Sequence, residues 1–498
     1  MPAVVQEVDW FAIAAPVVLA CTAILVLLVD AFMGPARSRR TALVPATLTL
    51  VGLAVAAVPT VALWGERRAT FCVAPSLGEA SSCSFVVEPF TLVFWGIVLF
   101  GTAVVALMGT AAVAEGRTPP GEWNFLLLST ATGALAIAAS RDLITLVVAL
   151  EVVSLPVFAL VGLRSGDAKA AEASVKFFLV SVISTAVMLM GISLVYGVTG
   201  SVFLDRVNSV LSGGVEAPQV AVAGALLTIV GLAFKVAAVP FHMWVPDTYV
   251  GAPVAVAAYL SVVSKAAGFV GLILVLGFGF PVYVDAWAPI MSVLAALTMT
   301  VGNLLAFRQQ HAVRLLAWSS VAQAGYILVP FAAAAEHGGG STGLGASVGY
   351  MAIYAFLNLG AFAVAAIVGT RYPRQRLSDY RGLVREEPVA GWALAFFLVA
   401  LAGLPPGIVG LVAKVVVFNA VSGPATWLAV VMAVNVAIGI VYYARWLFEL
   451  FRPSRVPEGS TYDVPNGVGI AVGMTLTAGI VFSVFPGWLL DPVMGVLG

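Results

Sequence analysis

The chain has 498 residues, of which 61% are hydrophobic and 10% charged, with 24 basic and 24 acidic residues and a mean hydropathy of +1.06. Polar groups cannot cover such a surface, which excludes a water-soluble domain and points to an integral membrane protein with no nucleic-acid partner.

A helix needs about 20 apolar residues to cross the hydrocarbon core. Runs of that length follow one another near 11–33, 42–64, 89–112, 124–139, 143–163, 172–197, 219–241, 253–279, 284–306, 314–334, 346–369, 389–422, 424–447 and 465–490. Backbone groups in lipid must be satisfied internally, and alternating strand patterns are absent, so the expected fold is an all-α membrane protein of about 14 spans. The first run is too long for a signal-peptide core and lacks a basic leader, so it is expected to stay in the mature protein.

Several polar residues along this series carry information. Cys21, in the first span, reads as a small packing residue, whereas Cys72 and Cys83 share the loop after span 2 and are expected to form a disulfide that staples it. Glu151 is central in span 5. Four of the five lysines also lie inside apolar stretches: Lys176 in span 6, Lys235 in span 7, Lys265 in span 8 and Lys414 in span 12. A charge in the bilayer core costs about 2.5–3.5 kcal/mol even on lenient scales, so these five residues read first as an ion or proton path.

Each has a plainer alternative. Lys176 lies near the end of its span, from which a long side chain can snorkel to the headgroups. Lys235 is also nearer one end, but it precedes Pro240 by five residues, and the break implies a cavity. Lys265 and Lys414 are deep, and Glu151 competes with a structural salt bridge. Near Lys414, Gly403-Leu404-Pro405-Pro406-Gly407 interrupts a second apolar run. Paired broken helices in corresponding positions are a pointer to inverted repeats around a polar cavity, here spans 4–8 and 9–13. The expected division is 1–123 for the first three spans, 124–279 and 280–448 for the five-helix repeats, and 449–498 for the last helix.

Basic loops stay on the cytoplasmic side. The loops after spans 1, 3, 5, 9, 11 and 13 collect sixteen basic residues: Arg37, Arg39, Arg40, Arg117, Arg164, Lys169, Arg308, Arg314, Arg371, Arg374, Arg376, Arg381, Arg385, Arg445, Arg452 and Arg455. The opposite face holds only Arg67, Arg68, Arg141 and Arg206. Both termini are therefore expected outside. The segment Ser201 to Gln219 is amphipathic enough to lie on that outer surface.

The three cysteines do not make a metal or cluster site, and His242, His311 and His337 all lie at or beyond span ends, where they cannot ligate a buried haem. Without a glycine loop following a strand, nucleotide chemistry is not expected either. No cofactor is expected on this chain, so driving energy must come from a partner. Lysine suits such a path better than arginine, because it can release its proton.

Three blocks carry a resemblance. Leu150-Glu151-Val152-Val153-Ser154-Leu155-Pro156 resembles the span-5 signature of the antiporter-like subunits of respiratory complex I. Pro240-Phe241-His242-Met243-Trp244-Val245-Pro246-Asp247-Thr248-Tyr249-Val250-Gly251-Ala252-Pro253 is similar to their span-7/8 linker. Leu315-Leu316-Ala317-Trp318-Ser319-Ser320-Val321-Ala322-Gln323-Ala324-Gly325-Tyr326 resembles a third block. The likeness runs from about span 3 to span 13.

This resemblance implies fourteen helices, two inverted five-helix repeats and discontinuous helices 7 and 12. By position Glu151 corresponds to the glutamate that pairs with Lys235, Lys265 to the central relay, Lys414 to the terminal proton site, and Lys176 to an assisting position. Where most members carry histidine this chain has Gln323, which hydrogen-bonds but does not titrate, and the Pro-Pro-Thr-x-Gly before the helix-12 lysine is altered to Pro406-Gly407-Ile408-Val409-Gly410. A lysine at the helix-12 site and the absence of a long lateral helix favour the N-type subunit of bacterial NADH:quinone oxidoreductase, in a plasma membrane. Partner subunits are then expected to carry FMN and iron–sulfur clusters, with quinone bound elsewhere in the complex. The competing readings are a subunit of a multi-chain sodium/proton antiporter, a proton-inert membrane scaffold, and a quinone-binding redox subunit.

Overall fold

The computed structural model describes residues 8–33, 43–73, 82–114, 116, 118–164, 166–337, 341–453 and 464–497; the side chains of Ala114, His337, Ser341 and Thr342 are outside this description. Arg37, Arg39, Arg40, Arg117 and Arg455, which bear on the charge asymmetry, also lie outside the described residues.

All fourteen expected spans coincide with helical stretches. The first part of the chain comprises α1 (Ala14–Phe32), α2 (Val44–Ala62) and α3 (Pro89–Ala114). Next come α4 (Pro120–Ala139), α5 (Leu143–Gly162), α6 (Ala168–Thr199), the short α7 (Leu204–Ser212), α8 (Pro218–Lys235), α9 (Trp244–Gly251), α10 (Val254–Tyr259) and α11 (Lys265–Leu274). They are followed by α12 (Val284–Phe307), α13 (Ala312–Leu328), α14 (Gly345–Arg371), the single-turn α15 (Leu383–Glu386), α16 (Pro388–Ala402), α17 (Ile408–Val421), α18 (Thr426–Phe451), α19 (Asn466–Val484) and α20 (Gly487–Met494). Among the described residues twelve stretches are long and apolar enough to cross a membrane as single units. The other two expected spans are α4 and the pair α16–α17, whose halves are each too short alone.

Local chemistry sets the ends. Asp142 caps α5 by accepting from the Thr145 N–H at 2.7 Å, and Asp167 caps α6 through the N–H groups of Lys169 and Ala170. Both satisfy donors that a helix start leaves orphaned. α8 stops at Lys235, after which Ala237 takes a positive φ of 63° and Val239-Pro240 is cis. α16 stops at Gly403, whose φ of +83° suits a residue without a side chain, and Pro405-Pro406 is cis. Between α10 and α11 the helix widens into a π-turn over Leu260–Ser264 that ends at Lys265. Such turns occur disproportionately at functional positions, and periodicity gives no sign of them.

One expectation is corrected. A two-stranded antiparallel sheet is present, β1 (Arg68–Cys72) with β2 (Cys83–Val87), with Cys72 opposite Cys83. The strands are only five residues each, too short for an alternating pattern to stand out, and the disulfide Cys72–Cys83 joins them as expected. This hairpin packs over the chain between α4 and α5, where Arg141 N–H donates to Ser84 O at 2.8 Å and the Arg141 guanidinium meets Glu88 at 2.5 Å. Ser82 ties α7 to it by donating to Asp205 at 2.7 Å, while Leu204, Val207 and Leu211 of α7 are buried.

The stretch α10–α11, α13 and α14 form the buried interior, while α1, α2, α6, α18 and α19 present broad apolar faces outward. Without a hydrophobic force between helices in lipid, close contact relies on small residues. Gly133 accordingly meets the α5 backbone at Ala149 and Val153, and Gly302 meets the α13 backbone at Ala322.

Candidate functional site

Three lysines are held in the interior by groups from neighbouring helices. Lys235 ends α8, where the partial negative charge of a helix C-terminus favours a cation. It is 7% exposed, and its Nζ donates to Ser154 Oγ at 2.7 Å and Ser181 Oγ at 2.9 Å. The stacked rings of Phe177 and Trp244 fix the break beside it, the Trp244 indole donating to the carbonyl of Phe234 at 3.2 Å. Lys265, 1% exposed, follows the π-turn and donates to both the carbonyl and the hydroxyl of Ser320 on α13, at 2.6 and 2.9 Å. Lys414 lies in α17, and its Nζ donates to the carbonyl of Leu401 at 2.5 Å. That carbonyl is left without an intrahelical donor because α16 breaks two residues later.

Glu151 is half-buried and accepts from Thr185 Oγ1 at 2.7 Å. The expected direct pairing with Lys235 is not formed: the lysine is held by Ser154 instead, three residues along the same helix from Glu151 and thus on its face. Two neutral hydroxyls occupy the positions a carboxylate would take. Lys176 does not join the row. It lies on the exposed face of α6 and pairs with Glu172 one turn away at 2.6 Å, while Ala173, Phe177 and Ser181 turn inward.

Between Lys265 and Lys414 lies a polar network. Tyr350 on α14 donates to Gln323 Oε1 at 2.6 Å, while Gln323 Nε2 donates to Tyr443 Oη at 3.2 Å and approaches the Leu401 carbonyl at 3.4 Å. Tyr443 and Ser319 share a hydrogen bond of 2.5 Å. Gln323 thus acts as a fixed amide bridge between α13, α14, α16 and α18. Beside it a cavity of about 10 Å³, room for about one water molecule, is lined by Gln323, Tyr350, Tyr354, Leu401 and Lys414. A second cluster ties α12 to α18: Asn303 donates to Tyr326 Oη and Asn435 Oδ1, and accepts from Tyr442, each at 3.1 Å.

Sequence reasoning missed these tyrosines and asparagines. For Tyr350 and Tyr354 a signal was present, as polar residues one turn apart at 350, 354 and 358 in an otherwise apolar span. By contrast, an apolar recess between α2, α3, α14, α19 and α20 has none of these lysines in its lining.

Residues 140–440 match the family described as NADH:quinone oxidoreductase/Mrp antiporter, transmembrane. A Streptomyces griseus protein named NADH-quinone oxidoreductase subunit N 2 is 50% identical, over 97% of this chain and 93% of its own length. The subunit N of Salinispora tropica is 44% identical, over 92% and 88%. Among solved structures, respiratory complex I from Thermus thermophilus contains a chain similar at a TM-score of 0.77 and 29% identity, over 97% of this chain and 100% of that one. The Mrp complex from a Dietzia species shares the fold at a TM-score of 0.82 and 21% identity, over 97% of this chain and 96% of that one. Helix order, buried lysines and these likenesses agree, and the chain belongs to the antiporter-like membrane subunits of NADH:quinone oxidoreductase, alongside the proteins named subunit N.

Proposed function

We propose that this chain translocates protons across a bacterial plasma membrane as one subunit of NADH:quinone oxidoreductase, through Glu151, Lys235, Lys265 and Lys414. Partner subunits carrying FMN, iron–sulfur clusters and quinone would supply the electron transfer that drives it. The reading includes two inverted five-helix repeats, α4 to α11 and α12 to α18, and both termini outside. It is supported chiefly by the three lysines, each nearly sequestered from the exterior and each held by neutral oxygen acceptors.

A neutral acceptor matters because it holds either protonation state. An ammonium donates to Ser154, Ser320 or the Leu401 carbonyl, and a neutral amine can do the same with fewer protons. A carboxylate in contact would favour the charged form alone. Glu151, one turn from Ser154, is placed to change the field at Lys235 when it moves or gains a proton. Lys176 has a role only at the exposed end of α6, as an auxiliary group beside Glu172.

The test uses the assembled complex in inverted membrane vesicles. Lys265→Met and Glu151→Gln should depress proton pumping and coupled NADH oxidation while the complex still assembles. Lys265→Arg should behave like Lys265→Met, because arginine keeps its proton. Full pumping by the arginine variant would instead indicate a scaffold whose cation is structural.

A further inference from the structure

α14 carries Tyr350, Tyr354 and Asn358 at four-residue spacing, so the three side chains share one face. At about 1.5 Å per residue they extend over roughly 12 Å of helix. The two ends of this stripe are anchored at different lysine sites. Asn358 Nδ2 donates to Ser261 Oγ at 2.7 Å, within the π-turn that leads into Lys265. Tyr350 reaches Gln323 and lines the small cavity beside Lys414.

Tyr354, between them, is 2% exposed, and its hydroxyl has no hydrogen-bond partner of good geometry among the described groups. The hydroxyls of Ser320 and Ser261 are beside it, and Tyr354 lines the same cavity as Lys414. Leaving a buried hydroxyl unpaired costs about 1–3 kcal/mol, so such a group in a native interior calls for a specific explanation. The Asn358 carbonyl oxygen and the Tyr249 hydroxyl are unpaired in the same region.

We propose that Tyr354 is the hydroxyl that joins the Lys265 site to the Lys414 site, acting with one water in the adjoining cavity. The proposal rests on the proton-translocating reading above. Ser320 Oγ donates to the Ala317 carbonyl at 3.0 Å, so the hydroxyl first turns toward Tyr354; Lys265 then gives a proton to Ser320 Oγ as the Ser320 hydroxyl proton passes to Tyr354 Oη. The Tyr354 proton then passes to the cavity water, and that water gives one to the Lys414 amine. Each oxygen ends with the protons it began with, and one proton has moved from Lys265 to Lys414.

Tyr354→Phe keeps the ring and removes only the oxygen, while Tyr354→His restores a group that both accepts and donates a proton. Pumping by assembled complex in inverted vesicles should fall at least about tenfold in Tyr354→Phe, as for other positioned proton-transfer groups, and recover in Tyr354→His. Lys265→Met is measured in parallel. Unimpaired pumping in Tyr354→Phe, with pumping lost in Lys265→Met, would overturn the role of Tyr354 and leave the wider reading standing. Equal losses in the Phe and His variants would also overturn it, since packing would then explain both. Full pumping in Lys265→Met would instead defeat the translocation reading itself.

Discussion

His311 shows how a single residue outside the spans couples protonation to a helix start. Its Nδ1 accepts the N–H of Arg314 at 3.3 Å and caps α13, the helix that supplies Ser320 to Lys265. Burial, then the neighbouring Arg314, holds the imidazole below its ordinary range; Asp379 opposes this, and Lys169 adds to it. Folding therefore favours the neutral ring. The resulting stability is complete above the unfolded value near 6.5 and is lost as pH falls through the lower folded value. The thermal midpoint of the detergent-solubilised complex should drop on acidification from about pH 7. In His311→Asn, which keeps a capping oxygen, the drop should be smaller, and an identical pH slope in both proteins would refute this account.

At the scale of the element, the broken pair α16–α17 depends on backbones meeting. A Cβ at Gly410 would collide with the carbonyl of Ala400, and one at Gly407 with the Ala400 backbone. Gly410→Ala should push the halves apart and destabilise the assembled complex by about 1–3 kcal/mol, read as a lower melting temperature together with reduced pumping. An unchanged melting temperature and unchanged pumping would show that the halves can separate freely. How far such elements were legible depended on their chemistry. Gly403 to Gly407 and Pro240 announced both breaks, because residues that cannot continue a helix are visible individually. The positions of Lys235, Lys265 and Lys414 were equally plain against an apolar background. What each ammonium touches was not, because Ser154, Ser320 and the Leu401 carbonyl come from distant parts of the chain and are unremarkable within their own spans. The π-turn before Lys265 was invisible for a different reason: it alters backbone pairing without requiring any particular side chain. The β1–β2 hairpin was missed because five-residue strands provide too few alternations.

Over the whole molecule, the face bearing the hairpin is strapped by links distant in sequence. Cys72–Cys83 closes the hairpin, Ser82 joins it to Asp205 of α7, and Arg141 with Glu88 ties it to the start of α5. Replacing both cysteines by serine should cost the hairpin about 2–4 kcal/mol, seen as faster amide exchange across β1 and β2 with the α13 core unchanged. Intact-mass measurement of the unreduced chain should show Cys72 and Cys83 refusing alkylation; two freely labelled thiols there would contradict the bond. The interior is built on the opposite principle, with few covalent or ionic ties and many hydroxyls and carbonyls around the lysines. The carbonyl that receives Lys414 belongs to the main chain, so exchanging the side chain at 401 cannot remove it. Any apolar side chain that fills the same buried space at 401 therefore keeps this acceptor, whereas the turn from 403 to 410, with its left-handed glycine and close backbone approach, governs where that oxygen points.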